Sequence, residues 1–129
     1  MENEIIQIFT EGAPPPAGHY AQGVTYGNLI FVSGQLPVRP DGTHRAGDSF
    51  EEQTEQTLAN LIAILHAAGA GPKDVLKVTA YLVGVEHWPT FNKLYATAFG
   101  EARPARAVVP VPALRHGHLI ELEAVALRR

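Results

Sequence analysis

The chain has 129 residues, of which 46% are hydrophobic and 18% charged, with a formal charge of −3 and no cysteine. These values fit one globular domain over residues 1–129 with its own core, and they exclude a disulfide framework, thiolate metal ligands and a cysteine nucleophile. The ten basic residues are scattered, so the charge footprint of a nucleic-acid binder is missing, although Arg103, Arg106, Arg115, Arg128 and Arg129 crowd the last third and oligomerisation can gather them.

In chain order, Ile5 to Phe9 reads as a strand, and the run Gly12 to Gly18 with its three prolines reads as a loop, because neither a ladder nor a helix tolerates them. Tyr20 to Tyr26 and Leu29 to Ser33 are rich in β-formers and flank Gly27-Asn28, which predicts a hairpin. Ser49, with Glu52 three residues on, forms a capping-box signature for a helix. That helix sets Phe50, Thr54, Thr57, Leu58, Leu61, Ile62, Leu65 and Ala68 on one side, puts Glu51, Glu52, Glu55, Gln56 and Asn60 on the other, and stops at Gly69.

A strand is predicted from Val75 to Val83, and a second helix from about Pro89, with Trp88, Phe91, Leu94, Tyr95, Ala98 and Phe99 in phase up to Gly100. Ala105 to Val111 and Leu119 to Leu127 read as two closing strands. The fold class is therefore α+β, a single mixed sheet with both helices on one face. No apolar run is long enough to span a bilayer, and the start Met1-Glu2-Asn3-Glu4 lacks the basic residues of a signal peptide; the expectation is a cytoplasmic protein with no membrane partner.

Strand parity sharpens the last element. Ile120, Leu122, Ala124 and Ala126 share one face; Leu119, Glu121, Glu123, Val125 and Leu127 share the other. If helices cover the first set, the second still carries three apolar side chains, more than a solvated sheet face usually shows. That pattern implies subunit association through this face, with Glu121 near an interface cleft. Two solvated glutamates are the simpler alternative.

Charge on apolar strands marks the candidate chemistry. Arg106 lies among Ala105, Ala107 and Val108 and shares its strand face with Val108 and Pro110. Such a charge is unfavourable unless paired or met by a ligand, and a guanidinium fork matches a carboxylate through two parallel hydrogen bonds. An internal salt bridge to Glu121 or Glu123 explains it equally well. Glu121 can orient or deprotonate a water if burial raises its pKa. Tyr20, Ser33 and Asn92 can each offer a hydrogen bond to a ligand. The six histidines, His116 and His118 included, lack the spacing and company of a metal site, and neither a Ser-His-Asp order nor a phosphate-cradling glycine loop stands out.

Taken in order, Tyr20-Ala21-Gln22-Gly23, Phe31-Val32-Ser33-Gly34-Gln35, Gln53-Thr54, Asn60-Leu61, Ala68-Gly69, Phe91-Asn92-Lys93-Leu94-Tyr95, Pro104-Ala105-Arg106 and Glu121-Leu122-Glu123-Ala124 resemble the RidA family, also called YjgF, over about Ala13 to Ala126. The resemblance implies a chorismate-mutase-like fold of the bacillus type and a homotrimer with active sites between subunits. It implies hydrolysis of 2-imino acids, formed from enamines released by pyridoxal-phosphate enzymes, to 2-keto acids and ammonia, with no cofactor. Arg106 would bind the substrate carboxylate and Glu121 would hold the attacking water. Ser33 and Gly34 would line the pocket, with Tyr20 and Asn92 closing it.

The chain departs from the family pattern at His19 and Ala21, often proline and serine, at Val108, often cysteine or another small polar residue, and at Arg115, the proline of a common Leu-Pro pair. Two alternatives stay open: a non-catalytic trimer that binds a small carboxylate as sensor or chaperone-like partner, and an endoribonuclease or translation inhibitor. The acidic net charge argues against the latter.

Overall fold

The computed structural model, which describes residues 4–129, places the last strand of the chain in the middle of its sheet. Six strands, β1 (Ile5–Ile8), β2 (Gly23–Tyr26), β3 (Leu29–Gln35), β4 (Val75–Leu82), β5 (Ala105–Pro110) and β6 (Ile120–Leu127), lie in the order β1-β2-β3-β6-β4-β5. Neighbours are antiparallel except β4 and β5, which run parallel because helix α2 (Trp88–Phe99) carries the chain back across the sheet. Helix α1 (Phe50–Ala67) packs beside α2 and against β3 and β6.

Local chemistry sets the helix limits. The Ser49 hydroxyl accepts the Glu52 N–H at 3.1 Å while the Glu52 carboxylate accepts the Ser49 N–H at 3.2 Å, so two free donors of the first turn of α1 are satisfied reciprocally. Gly69, at φ +84, turns the chain away after α1. Pro89 sits in the first turn of α2, where no backbone donor is needed.

The core lies between the helices and one sheet face. Ile30, Val78, Ala80, Leu82, Ile120, Leu122 and Ala126 meet Leu61, Ile64, Leu65 and Phe91, all buried. Each large side chain there contributes roughly 1.5–3 kcal/mol by leaving water. The parity expected of β6 holds for Ile120, Leu122, Ala124 and Ala126, which are buried, while Glu121, Val125 and Leu127 are half-buried and Glu123 is exposed. Among the described residues no helix is long and apolar enough to cross a membrane.

Several boundaries and placements differ from the sequence-based expectation. Phe9, Val83, Val111 and Leu119 fall outside their strands. β2 begins at Gly23 rather than Tyr20, because the Tyr20 N–H turns back to the Gly18 carbonyl at 3.0 Å. Leu119 leaves the open-face set: it packs against the core, and its N–H donates to the Gln53 side-chain oxygen at 2.9 Å. Asn60, expected on the solvent side of α1, is fully buried; its amide donates to the Leu36 and Val38 carbonyls at 3.3 and 2.8 Å, tying the segment after β3 to the helix. A buried amide with partners on a loop satisfies backbone groups that no ladder reaches.

Candidate active site

Two half-sites emerge on opposite faces of the sheet. Arg106 pairs laterally with Val78, which pairs with Ala124, so it projects on the helix side; Glu121 pairs with Tyr81, which pairs with Val109, so it projects on the open side. Among the described residues no ion pair includes Arg106, Glu121 or Glu123. The internal salt bridge that explained Arg106 equally well is therefore absent among the described residues of one subunit.

Arg106 stands on edge strand β5 and is exposed, not half-buried as its apolar neighbours suggested. Its guanidinium carbon lies 4.9 Å from the centre of the Tyr95 ring and 5.4 Å from that of Phe91, both on α2. The negative ring faces attract the cation and fix its direction, leaving its donors free. Asn92, one turn before Tyr95, lines the same recess of about 280 Å³, together with Arg103 and Pro104. Burial pushes the Tyr95 hydroxyl up to about 12, against the opposing pull of Arg106, and that hydroxyl has no partner among the described residues. Val108, the family departure nearest Arg106, packs against the core and does not line this recess.

Glu121 is held by a bulge. The ladder between β3 and β6 shifts register between Val32 and Gln35, so Ser33 and Gly34 swing out beside the carboxylate. A Cβ on Gly34 would sit 3.1 Å from the Glu121 carboxyl carbon and collide with one of its oxygens, so the carboxylate keeps this position only while residue 34 has no side chain. The Ser33 hydroxyl donates to the Ala21 carbonyl at 2.6 Å and its N–H to the Gln22 carbonyl at 2.9 Å, anchoring the bulge. Burial first, and the like charge of Glu123 second, raise the Glu121 pKa, which moves it towards the range useful for a general base.

The remaining named residues fall around Gly34. Ser33 and Gly34 line an open-face recess of about 320 Å³ with Lys77, Thr79 and Glu123. Gly34 and Tyr20 also line a separate cavity of about 230 Å³ beneath the proline run. Buried Gln22 shapes that run by donating to the carbonyls of Thr10, Ala13 and Pro14 at 3.0–3.3 Å. Within one chain the structure thus unites Arg106 with Asn92, and Glu121 with Ser33 and Gly34, but not the two groups with each other. The sequence hid the aromatic brace of Arg106, because Phe91 and Tyr95 at helical spacing look only like core residues.

The geometry has counterparts among known proteins. The family model described as Endoribonuclease L-PSP matches residues 10–128. The chain belongs to this family. Its members include the 2-iminobutanoate/2-iminopropanoate deaminase of Escherichia coli K12, 40% identical over 125 residues that cover 95% of this chain and 97% of that one. A RutC family protein of Pyrococcus horikoshii is 44% identical over 121 residues, covering 94% of this chain and 96% of its own length. The crystal structure of E. coli TdcF with bound serine superimposes with a TM-score of 0.89 at 35% identity, covering 95% of this chain and 98% of the other. The RidA/YjgF resemblance of the motifs and the chorismate-mutase-like fold are thereby established.

Proposed function

We propose that the chain hydrolyses 2-imino acids to 2-keto acids and ammonia, in a homotrimer whose sites lie between subunits. The observation that supports this reading is the placement of two charges across the sheet: a ring-braced guanidinium with no ion pair among the described residues on one face and a half-buried carboxylate of raised pKa on the other. Among the described residues neither has an ion-pair partner that explains it, and each matches one need of the reaction. The open face supports association, because Tyr26, Phe31 and Val109 are exposed on it beside half-buried Val125 and Leu127. A neighbour docked there brings its own Arg106 and Asn92 towards Glu121, Ser33 and Gly34.

In that assembly Arg106 grips the substrate carboxylate through two parallel charge-assisted hydrogen bonds. Holding the imine by this end fixes the C=N carbon against Glu121, which positions the attacking water and takes its proton. Addition forms a C–O bond; the nitrogen gains protons and leaves as ammonia when the C–N bond breaks, giving the keto acid. The name of the E. coli relative supports the reaction class.

The test follows keto-acid release from 2-iminobutanoate and 2-iminopropanoate generated in situ by an amino-acid oxidase. Wild-type rates above the spontaneous reaction, lost in Arg106→Ala, support the proposal; wild-type rates equal to the mutant's overturn it. The serine held by TdcF favours one second reading, a carboxylate-binding trimer without turnover. Binding of 2-ketobutyrate with no acceleration of imine hydrolysis would select it.

A further inference from the structure

The cavity of about 230 Å³ beneath the proline run holds chemistry that Arg106 and Glu121 do not use. Pro14, Pro16, Leu36 and Val38 give it apolar walls, and His44, Arg115 and His116 meet in the same lining. The His44 and His116 rings are 4.0 Å apart, centre to centre. Among the described residues no aspartate or glutamate lines the cavity and Arg115 forms no ion pair.

The backbone of this corner is unusual at one residue. His116 adopts φ +61, the single positive φ outside glycine among the described residues, and a left-handed histidine costs roughly 1–2 kcal/mol. Strain of this kind persists where the surroundings impose it, often at a ligand clamp. The surroundings here include His118, fully buried below the turn. Its Nδ1 lies 2.8 Å from the Arg115 carbonyl oxygen, which only accepts, so Nδ1 carries the proton and the buried Nε2 is a bare acceptor without a partner among the described residues. Burial, and then the neighbouring charges of His44 and Arg115, lower the His116 pKa, as expected where cationic groups converge with no anion among them.

Gly34 connects the corner to the chemistry. It lines this cavity, and it is also the residue on which the Glu121 carboxylate rests. Gly34 is thus the one residue shared by the cavity and the Glu121 carboxylate, and a substrate side chain that runs from Glu121 past Gly34 would meet the cavity beside Tyr20. We propose that Arg115, with His44 and His116, selects 2-imino acids that carry a second carboxylate at the far end of the side chain, of the 2-iminosuccinate or 2-iminoglutarate type. This rests on the hydrolase reading. The distal carboxylate is unchanged in the reaction: protonated imine and water give the keto diacid and ammonium.

The experiment compares 2-iminobutanoate with 2-iminosuccinate and 2-iminoglutarate, each generated in situ, for wild type, Arg115→Gln and His44→Gln. The expected result is a wild-type kcat/KM higher for a diacid than for the monoacid, and a diacid-to-monoacid ratio that falls roughly tenfold or more in Arg115→Gln. Hydrolysis of the monoacid imine alone, or a ratio that survives both substitutions, overturns the inference while leaving the hydrolase reading intact. If the wild type accelerates none of them, the hydrolase reading fails. The cavity is then judged by calorimetry: tighter binding of 2-ketoglutarate than of 2-ketobutyrate, lost in Arg115→Gln, supports it, and equal affinities overturn it.

Discussion

Arg106 and Glu121 project from opposite faces of one sheet, Arg106 through its pairing with Val78 and Glu121 through its pairing with Tyr81. Val78 and Tyr81 are an odd number of residues apart on one strand, so no side-chain rotation brings the two charges together within a subunit. In the proposed homotrimer the reaction takes them from different copies of the chain.

Subunit mixing tests this directly. Arg106→Ala and Glu121→Gln should each be inactive, and an equimolar mixture refolded together should recover roughly a quarter of wild-type activity, since random neighbours pair one intact arginine with one intact glutamate at that frequency. Recovery is read as keto-acid release per subunit after size exclusion. A mixture as inactive as its parents would place both groups in the same subunit's site.

Glu121→Gln should also separate activity from stability. A carboxyl whose folded pKa is raised favours the fold when protonated, and that contribution is lost as pH rises from the ordinary value of 4.5 through the folded one. At pH 7 the amide removes this liability, so Tm should rise by roughly 2 °C while kcat falls about 10²- to 10⁴-fold. Near pH 4 the Tm gain should vanish, which thermal unfolding at the two pH values checks.

The aromatic brace predicts a graded series. Tyr95→Phe keeps the ring and deletes a buried hydroxyl without a partner, so activity and Tm should stay near wild type. Tyr95→Leu removes the ring face under the guanidinium and should raise KM about two- to fivefold, in line with an exposed cation–π contact of ~0.5–1 kcal/mol. Arg106→Lys should remain impaired, because an ammonium cannot reproduce the two-pronged grip.

Gly34→Ala should fail through Glu121. The added methyl occupies space held by the carboxylate, so the side chain must turn away or the bulge must shift. Loss of kcat of at least roughly tenfold is expected with the oligomeric state unchanged, measured by steady-state rates beside light scattering.

Asp74 provides the acid-side expectation. Its hydrogen bond from Arg129 at 2.7 Å, and then the Gly71 N–H at 2.9 Å, hold its carboxyl below the ordinary 3.8. A depressed folded pKa gives stability that is present above the unfolded value and is lost as pH falls through the folded one. Asp74→Asn should therefore lower Tm at pH 7, with the gap to wild type closing as pH falls below the ordinary 3.8 and through the lowered folded value.

Most of the architecture was legible in short-range pattern. The Ser49–Glu52 box, the Gly27-Asn28 turn and the alternation along Ile120–Leu127 each have local physical causes, and each appears as expected. Asn60 was misplaced because polarity alone assigned it to solvent, whereas the carbonyls of Leu36 and Val38, distant in sequence, hold it inside. The candidate site was legible as a set of residues but not as an arrangement. Nothing local to Arg106 says that β5 lies at a sheet edge, and nothing local to His44 says that it meets His116.

The central position of β6 also orders events in time. Until Ile120–Leu127 has left the ribosome, the hairpin side, β1 to β3, and the crossover side, β4-α2-β5, have no strand to join them. Both would wait with an open edge, because long-range pairings must close last. β6 is thus the segment that welds the two halves of the sheet, and the same strand delivers Glu121, so the carboxylate reaches its place only as the sheet itself is completed.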